Sequence, residues 1–250
     1  ATYSYELNNK KAPFDNVNVR KALNLSLDRN VITDKVLGQG QTPTYVFTPT
    51  YIEEGHLIQQ PAYSKEPMAQ RNEEAIKLLE EAGYSKANPL KFSILYNTNE
   101  NHKKVAIAAA SMWKANTKGL IDVKLENQEW KTYLDSRRAG RYDAARAGWN
   151  ADYNQATTFG NYFLSNSSNN TAKYANPEYD KAIAESYVAT DAEGSAKAYA
   201  KAEEILAKDF GIVPIFNYVN PRLVKPYVKG YSGKDPQDHI YLRNLYIIKH

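Results

Sequence analysis

The sequence contains no cysteine. That removes disulfide frameworks, thiolate nucleophiles and cysteine-based metal sites at once. It suits an oxidising compartment without establishing one. Histidine is nearly as scarce. The four residues His56, His102, His239 and His250 are scattered, and none forms a close i, i+4 pair with another. No zinc-type spacing results, so no metal is expected. No apolar run approaches the ~18 residues of a membrane span. The formal net charge of +4 over 250 residues is small, which argues against a dedicated nucleic-acid binder. A P-loop and a dinucleotide fingerprint are missing too, since GQGQTP from Gly38 follows a helical pattern rather than a strand. There is no G-x-S-x-G elbow. These gaps leave no cofactor expected and little room for an enzyme.

What is present looks like an ordinary soluble globular chain, with 42% hydrophobic and 24% charged residues. Tyrosine is abundant at 20 residues, with 3 tryptophans. Such amphipathic rings serve a ligand or fill a core equally well. ATYSYELNN has no basic start before an apolar stretch, so it is not a signal peptide. It reads as a strand, Tyr3 to Leu7, and a chain that opens inside a strand suggests a processed protein or a fragment.

The periodicity predicts a helix from Val17 to Leu37, stopped at Gly38, then a long irregular segment over residues 39–67 containing four prolines. MAQRNEEAIKLLEEAG is an amphipathic helix stopped by Gly83. Leu90 to Asn97, Ile121 to Gln128 and Tyr142 to Trp149 read as strands. Between them lie a helix starting at His102 and a short helix, EWKTYLDSRRAG. Strand, helix, strand, helix, strand is the pattern of an α/β layer structure, whose ligands gather where strands end. Two further helices, Glu178 to Ala189 and Glu193 to Asp209, precede a strand from Ile212 to Asn220. Pro214 within that strand suggests an edge or a bend. HIYLRNLYIIKH reads as a final strand.

GWNADYN lies at a strand exit and sets Asp152 between Trp149 and Tyr153. A lone acid in aromatic company is costly if buried without a cation. Glu126, Glu129, Asp143 and Asp152 could be paired for glycoside hydrolysis, but that needs a set separation, and acid pairs occur in every soluble protein. A better constellation is Trp130, Arg137, Arg146, Trp149 and Asp152. An aspartate pairs an ammonium and an arginine forks onto a carboxylate, so the set can hold both ends of a zwitterion such as a peptide. ARAGW could add a strand edge for its backbone. The ordinary alternative is that the arginines pair with Asp135 and Asp143 on the surface.

The stretches NNKKAPFDNVNVRKAL, RNEEAIKLLEEAGY, LENQEWKTYLDSR, ARAGWNADYN, SNSSNNTA, YVNPRLVKP and GYSGKDPQDHIYLRNLYIIKH resemble the C-terminal half of the periplasmic oligopeptide-binding proteins. These are the family 5 extracellular solute-binding components of ABC peptide importers. The resemblance implies an α/β, type II periplasmic-binding-protein-like lobe with a mixed sheet flanked by helices, the C-terminal lobe of a three-domain protein. Residues 1–219 would form that third lobe, with a hinge strand at its start. Residues 220–250 would cross back to an N-terminal lobe. By the same resemblance Asp152 binds a peptide's α-ammonium, while Arg146 and His102 receive its carboxylate. Trp130, Arg137 and Trp149 line side-chain pockets, and Tyr218, Asn97 and Glu6 lie at the cleft. The main chain of Ala147, Gly148, Asn150 and Ala151 pairs with the peptide backbone.

Leu37, where a lysine is expected, and Asn150, where a small residue is expected, depart from the family pattern. The turn from Thr117 to Leu120 is longer than usual. The implied partners are short peptides and permease subunits in the inner membrane, in a periplasmic protein that is monomeric when complete. The fragment's C-terminal strand edge leaves association open. A specialist receptor for murein peptide or haem on the same fold, or a surface protein without transport, stand as alternatives.

Overall fold

The computed structural model describes residues 1–233, 235 and 237–249. His250 lies outside the described residues. The first strand, β1 (Thr2–Leu7), is buried along its whole length. It occupies the middle of a six-stranded mixed sheet. The other members are β2 (Thr42–Pro43), β3 (Leu90–Asn97), β4 (Ile121–Gln128), β5 (Ala144–Trp149) and β6 (Ile212–Asn217), in the order β2-β6-β1-β5-β3-β4. β3 runs parallel to β4 and β5, whereas β1 is antiparallel to β5 and β6. The parallel part is the strand–helix alternation expected from the sequence. Helices α1 (Val17–Leu25), α2 (Met68–Glu81), α3 (Glu100–Asn116), α4 (Trp130–Arg138), α5 (Thr157–Gly160), α6 (Pro177–Tyr187) and α7 (Ala192–Lys208) flank the sheet. No helix is long and apolar enough to cross a membrane among the described residues.

The helix ends follow local chemistry. Asn99 caps α3 through Asn101 N at 2.9 Å and His102 N at 3.1 Å, so α3 starts before His102 and sets that histidine in its first turn. Glu129 caps α4 at Lys131 N. Gly83 follows α2 at φ 91, a conformation that glycine adopts without a steric cost.

Three sequence expectations need correction. The helix from Val17 to Leu37 is two pieces: α1 ends at Leu25, and a wider π-type turn runs from Val31 to Leu37. Arg29 causes the break. It is fully buried, and its guanidinium takes the carbonyls of Asn24, Leu27, Thr44 and Pro214. A continuous helix would have used Asn24 O and Leu27 O itself. Secondly, β6 stops at Asn217 rather than Asn220, and its register shifts opposite Tyr3 and Ser4, beside Pro214. Thirdly, the final strand shrinks to β8 (Tyr246–Ile247) among the described residues, paired with β7 (Val228–Lys229).

The two larger buried clusters meet at the sheet. One face carries Tyr3, Tyr5, Ile94 and Trp113, with α1 and α3 packed over them. Phe47, Phe159, Tyr162, Phe163, Tyr179 and Tyr199 gather in the second, around α5–α7. Much of the tyrosine content is therefore core.

Candidate functional site

The site grows from a divergence in the sheet. β5 pairs with β1 from Ala144 to Trp149, but with β3 only at Ala144 and Ala145. Beyond Ala145 its second edge pairs with no strand among the described residues. Tyr133 Oη, from α4, donates to Arg146 O, which identifies the groups of Arg146 that face this edge. Strand alternation aims the N–H and C=O of Gly148 the same way. The sequence expectation of an available edge at Ala147, Gly148, Asn150 and Ala151 thus has a geometric basis, although β5 is an interior strand. Ala147 and Ala151 are buried and Asn150 is exposed.

Arg146 is half-buried on the tyrosine face. Its guanidinium lies 5.2 Å from the Tyr3 ring centroid, and Nη2 donates to Tyr218 Oη at 2.5 Å. No carboxylate pairs with it among the described residues, and its buried Nε has no partner there. Gly148 makes this packing possible. A Cβ at that position would come within 3.2 Å of both Arg146 Nη2 and Tyr218 Oη. His102 sits nearby against the Tyr3 ring, at 5.6 Å between centroids. Its buried Nδ1, Asn97 Oδ1 and Gln128 Oε1 also lack partners among the described residues. Asn97 and Gln128 are register partners at the ends of β3 and β4. Buried polar groups are normally satisfied, so this concentration marks the strand ends as built for something that hydrogen-bonds. A cavity of about 250 Å³ adjoins His102 and is lined also by Tyr3, Tyr218, Gln39 and Asn220.

Burial, and then the positive charge of Arg146, push the His102 imidazole from the usual 6.5 down to about 3. The folded chain therefore holds this ring neutral. Between these two values the unfolded chain takes up a proton that the folded chain refuses. His102 therefore withdraws stability as pH falls from 6.5 towards 3. Nuclear magnetic resonance of labelled histidine should show the His102 signals flat between pH 7 and about 5. A midpoint near 6.5 would contradict this packing.

Asp152 lies in the loop between β5 and α5. It is exposed, so the burial cost expected from its aromatic neighbours does not arise in this chain. Its carboxylate accepts from Thr158 Oγ1 at 3.3 Å, and its N–H donates to the same hydroxyl at 3.1 Å. No cation pairs with it among the described residues. Trp149 donates from Nε1 to Thr158 O at 2.8 Å and packs edge-on against Tyr162. Trp130 is 49% exposed and stacks on Tyr133.

Arg137 and Glu6 differ from the rest. Arg137 Nε and Nη2 donate to the two oxygens of Glu6 at 3.0 and 2.8 Å, with side-chain exposures of 13% and 0%. Tyr162 and Thr171 also donate to Glu6. This pair is spent internally, and neither surface partner expected for Arg137 and Arg146 is used. Asp143 instead binds Lys11 at 2.6 Å. Sequence reasoning missed Tyr3, Tyr133, Tyr162 and Thr158, which carry no motif and contribute through position alone. A cavity of about 930 Å³ between α1 and α7 contains none of the expected site residues, and the ion pairs Lys21–Glu74 and Lys208–Glu204 are part of its lining.

Residues 1–171 match the family described as bacterial extracellular solute-binding proteins, family 5 Middle. The periplasmic oligopeptide-binding protein OppA of Haemophilus influenzae is 97% identical over 249 residues, covering all of this chain and 46% of that protein. OppA of Salmonella typhimurium is 55% identical over the same length and is covered to 45%. The crystal structure of Haemophilus influenzae OppA in complex with RPPGFSPFR superposes with a TM-score of 0.92 at 96% identity, covering 99% of this chain and 48% of that one. The chain thus spans under half the length of the relatives it matches. On the family match and these identities, the chain belongs to the family 5 bacterial extracellular solute-binding proteins.

Proposed function

We propose that this chain supplies one wall of a cleft that captures short peptides with little regard to their sequence. The complete protein would work in the periplasm and pass its cargo to the permease subunits of an ABC importer. Arg146 carries the reading: a half-buried cation without a carboxylate beside an unpaired backbone edge. Asp152 would take the peptide's ammonium, Gly148 its backbone, and Arg146 with neutral His102 a carboxylate. Main chain and charged ends are common to all peptides, so affinity drawn from them tolerates varied side chains, with water filling the pockets. The peptide bound to the Haemophilus influenzae relative supports this reading. The internal commitment of Arg137 to Glu6 argues against a specialist site in which Arg137 grips an extra carboxylate.

Residues 220–250 would belong to the opposite lobe. Leu223, Leu242 and Ile247 lie exposed on this segment, as expected of a surface that packs elsewhere.

The test joins this chain to the remainder of the Haemophilus influenzae relative and titrates RPPGFSPFR and its N-acetylated form by calorimetry. The free amine should bind at least about tenfold more tightly, since acetylation removes a charged partner. Equal binding of the two forms would sink the ammonium anchor.

A further inference from the structure

We propose that Gln237 is a positioning residue for the Asp152 anchor, tying the tail to the amino-terminal end of the peptide groove. This rests on the peptide-binding reading above. Gln237 Nε2 donates to Asp152 O, 85 residues away in sequence. Asp152 N and one carboxylate oxygen are already held by Thr158 Oγ1, and neighbouring Asn154 is held by Glu53. The contact from Gln237 fixes the one remaining main-chain group of Asp152, in a residue otherwise exposed to solvent.

The donor is presented by a braced turn. Asp235 accepts from Gln237 N at 2.8 Å and from His239 N at 3.3 Å, and its carbonyl accepts from Asp238 N. Asp238 adopts φ 62, a left-handed conformation that aspartate tolerates better than most residues. Its carboxylate accepts from Asn220 Nδ2 at 2.5 Å and Arg222 Nη2 at 2.6 Å. Asn220 follows Tyr218 by two residues, and Tyr218 holds Arg146. One turn therefore links the chain leaving the carboxylate end of the groove to the residue proposed for its ammonium end. A contact of this kind would keep the Asp152 loop in place while an amine is bound, and its loss would speed release of the peptide. The expected signature is a change in dissociation rate with association nearly untouched, because association needs only the open groove.

The experiment uses the chain joined to the remainder of the Haemophilus influenzae relative, with Gln237→Ala and Gln237→Glu, and stopped-flow binding of RPPGFSPFR. Losing one neutral hydrogen bond should raise koff about three- to tenfold. The kon value should stay within about twofold. Gln237→Glu keeps the stem but sets a carboxylate against a carbonyl, so it should raise koff at least as much as alanine. Both variants should narrow the preference for the free amine over the acetylated peptide without abolishing it, as expected of a residue that acts through Asp152 and does not itself meet the ammonium. An unchanged koff in both variants overturns the proposal, as does an equal loss through kon alone. If the parent protein shows no preference for the free amine, the anchor reading falls. In that case a raised koff in the variants would keep the tail contact, and an unchanged one would remove both.

Discussion

Asp152→Ala, made in the chain joined to the remainder of its Haemophilus influenzae relative, should weaken binding of a free-amine peptide by about 2–5 kcal/mol, the usual cost of removing one partner of a desolvated charge pair. That is on the order of 30- to 5,000-fold in Kd. The carboxylate is exposed and meets no cation among the described residues, so its charge is available. Once a second lobe covers the site, an ammonium left without it would be buried and unpaired, and that penalty dominates the loss. The variant should fold normally. The Asp152 N–H to Thr158 bond uses the backbone and survives the substitution, as does the Trp149 bond to Thr158. The acetylated peptide provides the internal control, because it has no ammonium to lose and should bind parent and variant alike. Calorimetry that finds a loss under about 1 kcal/mol for the free amine, no more than an ordinary neutral hydrogen bond, would assign Asp152 to loop structure instead.

The sequence made some elements plain and hid others for physical reasons. β3 and β4 fall at the residues where alternation places them, Leu90–Asn97 and Ile121–Gln128. Each is a regular run bounded by turn residues, and their side chains obey local rules. The break after Leu25 was not legible, because apolar periodicity continues through it. What decides it is Arg29 reaching for carbonyls as far off as Pro214, 185 residues away. The site divides in the same manner. Asp152, Trp149 and Arg146 share one short stretch, so their proximity could be read directly. The pairing of Arg137 with Glu6 crosses 131 residues. Charge type alone could not tell it from a surface pair with Asp135. The resemblance placed both residues at the cleft, yet only the folded geometry separates the arginine that is spent from the one that is available.

That separation leads to a stability prediction. Glu6→Gln should destabilise the same joined protein by about 3–5 kcal/mol, because it leaves the Arg137 guanidinium buried without its counter-charge. Burial alone would depress the arginine's proton affinity, but the Glu6 carboxylate outweighs it and holds the group charged far above any physiological pH. It cannot escape by neutralising. A loss of that size should lower the midpoint of thermal unfolding by several degrees. The pair also has a positioning consequence. It ties α4 to β1 across β5, and α4 carries Tyr133, whose hydroxyl meets Arg146 O. Loosening it should therefore disturb the peptide edge as well as the core. Replacing both partners, as Glu6→Leu with Arg137→Met, removes the buried charges together. It should recover most of the lost stability, since apolar replacement of a whole buried pair is often neutral. Calorimetric unfolding of Glu6→Leu, Arg137→Met and the double variant completes the cycle. A single Glu6→Gln cost under about 1 kcal/mol would mean that the pair is as solvated as a surface salt bridge. Arg137 would then return to the set of residues available to a ligand.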